Sequence, residues 1–190
     1  VTGAAPVVLT TARLILRGWT DDDRPAFAAL NADPRVMEHF PSTLTREQSD
    51  AMVDRIMDRM AAQGYGLWAL EERASGRFLG FTGFNPVPPG ILAAGEPPGT
   101  EVGWRLSYEA WGCGYATEAA RAALAHAFGS AGLDRVWSFT ARTNVRSQAV
   151  MRRLGMVLAA EFDHPTLPVE SPLHRHVLFR VDRPDAREGT

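Results

Sequence analysis

The sequence predicts a mixed α/β fold in a single domain, and three observations predict it. Apolar and polar residues alternate in short stretches such as Glu101 to Leu106 and Arg135 to Arg142, the period of a strand. Between such stretches apolar residues recur every three to four positions, as at Ala116, Ala119, Ala120, Ala123, Leu124, Ala127 and Phe128, the spacing of one helix face. Single helices separate the strands, and a hairpin signal stands at each end of the pattern, which together describe one mixed sheet. A chain of 190 residues is one domain by the usual size of about 100–200 residues per domain. The predicted core runs over 9–181, with a polar, disordered tail at 183–190.

Taken in order, Arg13 to Arg17 is a short apolar strand with Leu9-Thr10-Thr11 as its lead-in. Thr20-Asp21-Asp22-Asp23 starts a helix, since any of the four can cap and negative charge is favoured in a first turn. Pro25 is tolerated there because the first N–H groups lack intrahelical partners. Asp33-Pro34 ends that helix. A second begins at Thr45 with Gln48 three residues on, the spacing of a capping box, and Gly64 is its C-terminal cap. Its stripe is Met52, Val53, Ile56, Met57 and Met60, which reads as core before it reads as a binding surface. Strands at Tyr65 to Glu72 and Phe78 to Phe84 are joined by the turn Ala74-Ser75-Gly76-Arg77. Residues Asn85 to Gly99 carry five prolines and three glycines and cannot form regular structure. Such a loop either covers a binding site or is a surface insertion.

Next comes a strand, Glu101 to Leu106, then the turn Trp111-Gly112-Cys113-Gly114-Tyr115-Ala116, then a helix. The glycines allow a sharp turn and close approach of a ligand, because no Cβ intervenes. A glycine turn feeding a helix N-terminus presents free N–H groups and positive dipole, which suits a phosphate; a plain tight turn is the other reading. Two nucleotide folds are excluded. A P-loop requires a lysine and the chain has none, and the dinucleotide fingerprint requires a third glycine that is missing. After the strand Arg135 to Arg142, a short helix follows Asn144, with Val150, Met151 and Leu154 inward and Gly155 closing it. Strands at Val157 to Phe162 and Arg175 to Val181 complete the sheet.

Composition narrows the function classes. Hydrophobic content is 45%, charged content 22% and net charge −2, so nothing argues for a nucleic-acid or membrane partner. Every basic residue is arginine, which removes Schiff-base lysine chemistry. The single cysteine, Cys113, excludes an internal disulfide and fits a reducing, cytoplasmic setting. No signal peptide is visible at Val1 to Leu9, and no run approaches the ~18 apolar residues needed to span a bilayer. His174 and His176 alternate on one strand face but have no third ligand at a recognisable spacing, so no metal site is expected. Cys113 has no His at a spacing that would make it a nucleophile. Glu118 lies in a first helical turn, where dipole stabilisation explains it.

Two stretches resemble a known family. Trp-Gly-x-Gly-Tyr-Ala-Thr-Glu-Ala at 111–119 is similar to motif A of the GNAT superfamily of acyl-CoA-dependent N-acetyltransferases, whose loop reads (Arg/Gln)-x-x-Gly-x-(Gly/Ala). Gly114 and Ala116 fill its last places; Trp111 stands where Arg or Gln is usual, and Cys113 where a basic residue is common. The segment from Asn144 through Ser147 to Leu154-Gly155-Met156 resembles the family's Asn-x-x-Ser-x-x-x-x-x-x-Leu-Gly-Phe/Met motif. The opening Leu-Thr-Thr-x-Arg-Leu-x-Leu-Arg is similar to the RimJ/RimL-type branch, whose members acetylate ribosomal-protein N-termini. The resemblance covers roughly 9–181. It implies a GNAT fold: a mixed, mostly antiparallel sheet of about seven strands flanked by about four helices, in the order β-α-α-β-β-β-α-β-α-β-β.

The resemblance also implies acetyl-CoA as co-substrate, no metal, and an amine acceptor. Its pyrophosphate would lie on the backbone of Trp111, Gly112, Cys113, Gly114, Tyr115, Ala116 and Thr117, with the Thr117 hydroxyl able to add a bond. The pantetheine arm would meet backbone groups of Trp104, Arg105 and Leu106, where an N–H could also stabilise the oxyanion. Glu101 is the candidate base, or alternatively a solvated or amine-binding carboxylate. Ser147 is the candidate acid, since the motif B helix has no tyrosine; a hydrogen bond to pantetheine is the equal alternative. Asn144 would bond pantetheine, cap its own helix, or both. Arg146, Arg152 and Arg153 read as a solvated helix face before a 3′-phosphate clamp. The expected acceptor is a protein N-terminal α-amine, whose pKa of about 8 makes deprotonation cheap near neutrality. A small amine (polyamine, amino acid or antibiotic) is the rival, and a non-catalytic acyl-CoA-binding module is a third reading. The final strands and tryptophan-rich sheet leave room for a homodimer.

Overall fold

A computed structural model describes residues 7–184. The chain forms β1 (Leu9–Thr10), β2 (Leu14–Arg17), α1 (Asp23–Ala32), α2 (Arg46–Gln63), β3 (Leu67–Glu72), β4 (Phe78–Pro86), β5 (Thr100–Leu106), α3 (Tyr115–Phe128), β6 (Arg135–Ala141), α4 (Val145–Arg153), β7 (Val157–Asp163) and β8 (Arg175–Asp182). The strands make one sheet in the order β1-β2-β3-β4-β5-β6-β8-β7. The pairs β1–β2, β2–β3, β3–β4, β6–β8 and β7–β8 are antiparallel, and β5 and β6 run parallel with Glu101 opposite Trp137. The mixed, mostly antiparallel sheet and four helices are those the sequence predicted. The eighth strand is Leu9–Thr10, which pairs with Ile15 and Leu16. It was legible only as a lead-in because two residues are too few to show a period. Residues 185–190 of the expected tail lie outside the described residues, whereas Arg183 donates its backbone N–H to the Asp134 carbonyl at 2.8 Å.

The chain divides into two compact units, one running to Asn85 and including Val102–Ala123, the other Pro86–Glu101 with Leu124 onward. In the first, Leu14, Leu16, Phe27, Val53, Met60, Trp68 and Leu70 are buried almost completely. Phe27 meets Trp19 edge-on at 4.9 Å between ring centroids, a preferred aromatic geometry. Of the α2 stripe, Val53, Ile56 and Met60 are buried while Met52 and Met57 are half-buried. The helix has the capping box: the Gln48 N–H donates to Thr45 Oγ1 and the Thr45 N–H to Gln48 Oε1. Gly64 closes it at φ 77°, a left-handed value that an L side chain resists.

The start of α1 departs from simple capping. Asp22 holds the cap position without a side-chain bond. Asp23 instead accepts from the Thr20 N–H at 2.9 Å and from Arg17 Nη1 and Nη2 at 2.7 and 2.8 Å. Arg17 Nε donates to Glu71 at 2.7 Å, so one guanidinium joins β2, β3 and α1. Burial pushes the Asp23 carboxyl up, but the bonds from Arg17 and Thr20 outweigh it and hold the group below its ordinary value.

In the second unit the proline-rich stretch is part of the core. The Val87 N–H donates to the Gly99 carbonyl at 2.8 Å, closing the loop, and Ile91 packs with Trp137 and Leu178. A Cβ on Gly99 would come within 2.8 Å of the Trp137 ring. In α4 Met151 is buried as expected, but Val150 and Leu154 are only half-buried. The second inward side chain is Gln148, whose Nε2 donates to the Arg142 carbonyl. β8 begins at Arg175, so His174 precedes the strand, and His176 stacks near His164, centroids 4.7 Å apart. Burial pushes His176 down to about 4.

Removing the Asp23 carboxylate leaves Arg17 with Glu71 alone in a partly buried site. Asp23→Ala is expected to cost about 2 kcal/mol in urea unfolding at pH 7, the worth of lost hydrogen bonds to a charged group. Because the folded-state value is depressed, the wild-type contribution is complete above the unfolded value of about 4 and is lost as pH falls through the folded one. The stability difference between wild type and variant should therefore shrink when unfolding is repeated below pH 4.

Candidate active site

The residues singled out at 104–117 all lie in the first unit, and Glu101, Asn144 and Ser147 lie in the second. After β5 a single 3-10 turn, Tyr108–Ala110, leads to the glycine loop. Gly112 and Gly114 stand at φ 76° and 81°, so both glycines are required by backbone conformation. Gly112, Cys113 and Gly114 are exposed. The Glu118 N–H donates to the Gly114 carbonyl at 3.1 Å, the first turn of α3. The amides ahead of it are those that every helix start leaves without an intrahelical carbonyl. Two left-handed glycines at an exposed helix start therefore form a concave, positively polarised surface that fits a pyrophosphate.

The loop is held from the β1–β2 connection and from β3. Glu118 Oε1 accepts from Thr11 Oγ1 at 2.6 Å and from the Arg13 N–H at 2.9 Å, and Oε2 accepts from Arg13 Nε at 2.7 Å. Arg13 Nη1 donates to the Cys113 carbonyl, and its guanidinium lies 4.6 Å from the Tyr115 ring centroid. Tyr115 in turn donates its hydroxyl to Glu72 at 2.5 Å. Helix-dipole stabilisation thus does not exhaust the role of Glu118: its carboxylate ties the N-terminal segment to the glycine loop. Burial raises the Glu118 carboxyl, but the bonds from Thr11 and Arg13 prevail and keep it below its usual range. Sequence reading missed this tie, although the pair of motifs at 9–17 and 111–119 contains both halves of it.

Of the β5 positions, Trp104 and Arg105 are half-buried and Leu106 is buried. The Leu106 carbonyl accepts from Trp111 Nε1 at 3.0 Å, so Trp111 braces the strand end. Thr117 is half-buried, and Cys113 is an exposed free thiol whose Sγ lies 3.6 Å from the Trp111 carbonyl oxygen.

In the second unit Glu101 is half-buried on β5. Asn144 caps α4: its Oδ1 accepts from the Ser147 N–H at 3.1 Å, and its Nδ2 donates to Thr140 Oγ1 and Ser147 Oγ at 3.0 and 3.1 Å. The helix-capping alternative for Asn144 is therefore realised. Ser147 Oγ, receiving a hydrogen bond from an amide, keeps its own O–H to give. Among the described residues no group of three or more His, Cys, Asp or Glu side chains is arranged to hold a metal ion, and no helix is long and apolar enough to cross a membrane.

Comparison with known proteins fixes the class. Residues 13–157 match the family described as an acetyltransferase (GNAT) domain, and the chain belongs to that family. It is thus an N-acetyltransferase of the kind that uses acetyl-CoA and an amine acceptor. It is 32% identical over 189 residues to the FsC-acetyl coenzyme A-N(2)-transacetylase of Aspergillus fumigatus, covering 94% of this chain and 78% of that one. It is 31% identical over 153 residues to the uncharacterised protein YkkB of Bacillus subtilis, covering 80% and 86%. The structure of Mycobacterium smegmatis RimJ in complex with CoA-disulfide superposes with a TM-score of 0.75, covering 96% of this chain and 90% of that one. At 18% identity that likeness is one of fold.

An alanine at position 114 would put a Cβ on left-handed backbone, although its nearest neighbour, Arg13 Nη2 at 3.5 Å, leaves room for it. Gly114→Ala is expected to cost about 1–2 kcal/mol in unfolding and to weaken acetyl-CoA binding measured by calorimetry. Binding of wild-type strength in the variant would argue against the loop as the phosphate cradle.

Proposed function

We propose that the chain transfers the acetyl group of acetyl-CoA directly to the primary amine of a small-molecule acceptor. The observation that carries the transferase reading is the pair of left-handed glycines at the exposed start of α3. The acceptor class is supported by the relative at 32% identity, whose name specifies an acetyl coenzyme A-dependent N(2)-transacetylase. A protein N-terminal α-amine is the second reading, in line with the resemblance of the opening strand to the RimJ/RimL-type branch.

The pyrophosphate would be held by backbone amides of 112–117 and the pantetheine arm by backbone of 104–106, with Asn144 or Ser147 adding a side-chain bond. The Leu106 carbonyl already accepts from Trp111 Nε1. Transfer forms a bond from the amine nitrogen to the acetyl carbon and breaks the carbon–sulfur bond. A proton must leave the amine, and one is taken up by the departing thiolate. Glu101 is assigned the first task and Ser147 the second, the latter because its hydroxyl is oriented by Asn144 and retains its proton.

Free CoA release from acetyl-CoA, read with a thiol reagent against an enzyme-only blank for the exposed Cys113, tests this reading. Release is expected with small primary amines; release with N-terminal peptides alone would transfer the assignment to the second reading. Glu101→Gln and Ser147→Ala are each expected to lower kcat by about 100-fold. Loss of acetyl-CoA affinity with kcat intact in Ser147→Ala would make that hydroxyl a pantetheine contact instead.

A further inference from the structure

Arg105 is a cation without a counter-charge. Its Nη1 donates to Asn31 Oδ1 at 2.6 Å. The amide of Asn31 is fixed in that orientation because its Nδ2 donates to Ser49 Oγ at 2.9 Å, and Asn31 and Ser49 are both fully buried. The guanidinium lies 4.1 Å from the Phe40 ring centroid and 5.5 Å from that of Phe81. Nε is enclosed and has no acceptor. Among the described residues no carboxylate lies within ion-pair distance of this side chain.

Three other arginines of the first unit meet carboxylates. Arg17 holds Asp23 and Glu71, Arg24 holds Asp21 and Asp54, and Arg13 holds Glu118. Burial without an anion pushes the Arg105 guanidinium down to about 10, while Arg17 is raised by its carboxylates. Leaving a largely desolvated charge on one amide oxygen and two ring faces is costly, and the cost is recovered only when an anion arrives. Gly103, two residues earlier on the same face of β5, has nothing within 4 Å of where a Cβ would stand, so that face is not filled at this position.

We propose that Arg105 is a specificity-determining residue that binds a carboxylate of the acceptor, so that the preferred substrates are amines carrying an acidic group, such as α-amino acids. This rests on the transferase reading above and names the acceptor's second functional group. A guanidinium is suited to that task because its planar donors match the two oxygens of a carboxylate, whereas it repels polyamines and aminoglycosides. Asn31 and Phe40 act as positioning residues that hold the fork in place. A CoA phosphate is the other anion that could seek Arg105, and the test separates the two.

The experiment measures binding to the acetyl-CoA-free protein of matched product-like pairs: N-acetylated amino acids and their C-terminal amides. Calorimetry should show the acids bound roughly 10- to 100-fold more tightly than the amides, the worth of a charge-assisted hydrogen bond. Arg105→Gln should abolish that difference and Arg105→Lys restore part of it, with the dissociation constant for CoA following neither change. Equal affinity for acids and amides in the wild-type protein, or no binding of any acid at millimolar concentration, overturns the assignment without need of a variant. A difference that survives in Arg105→Gln, or a loss confined to CoA, overturns it as well. Failure of the transferase reading would show itself separately, as absence of CoA release from acetyl-CoA with every amine offered to the wild-type protein.

Discussion

The carboxylate of Glu118 is the contact on which the candidate site depends. It sits in the first turn of α3 yet is spent on Thr11 and Arg13, residues more than a hundred positions earlier. That contact brings Arg13 onto the Cys113 carbonyl and the Tyr115 ring, and so fixes the glycine loop from its outer side. The Cys113 carbonyl is thereby occupied. A charge-assisted network here costs some conformational entropy but removes the freedom that the two left-handed glycines on either side of Cys113 would otherwise give the loop.

The same economy explains the first helix. Asp23, Arg17 and Glu71 join three elements with two carboxylates and one guanidinium, so that both carboxylates meet the same cation. Arg105 is the exception, carried by the amide of Asn31 and the faces of Phe40 and Phe81. A guanidinium whose enclosed Nε has no acceptor, and beside which no carboxylate of the described residues stands, makes its site dependent on what enters it.

Much of the fold was legible in the sequence because the determinants are local. The capping box at Thr45 and Gln48, the glycines at 64, 76, 112, 114 and 155 and the period of α3 each depend on residues within a few positions of one another. What escaped was long-range. Nothing near Glu118 indicates that it will meet Arg13, and nothing near Ile91 shows that a proline-rich loop will contribute to a core with Trp137 and Leu178. Arg105 was read for its backbone alone, since strand alternation gives the side of the sheet a residue faces but not whether a carboxylate will be there. His174 and Val150 were misplaced by one position of register or one face of a short helix, the scale at which periodicity loses force.

The central claim is that the amides at the start of α3 cradle the pyrophosphate of acetyl-CoA. Backbone amide chemical shifts of the wild-type protein, followed as CoA is added, address it residue by residue. The account predicts that the largest changes fall on Gly112 through Thr117. Saturable CoA binding that leaves those amides unmoved would contradict it.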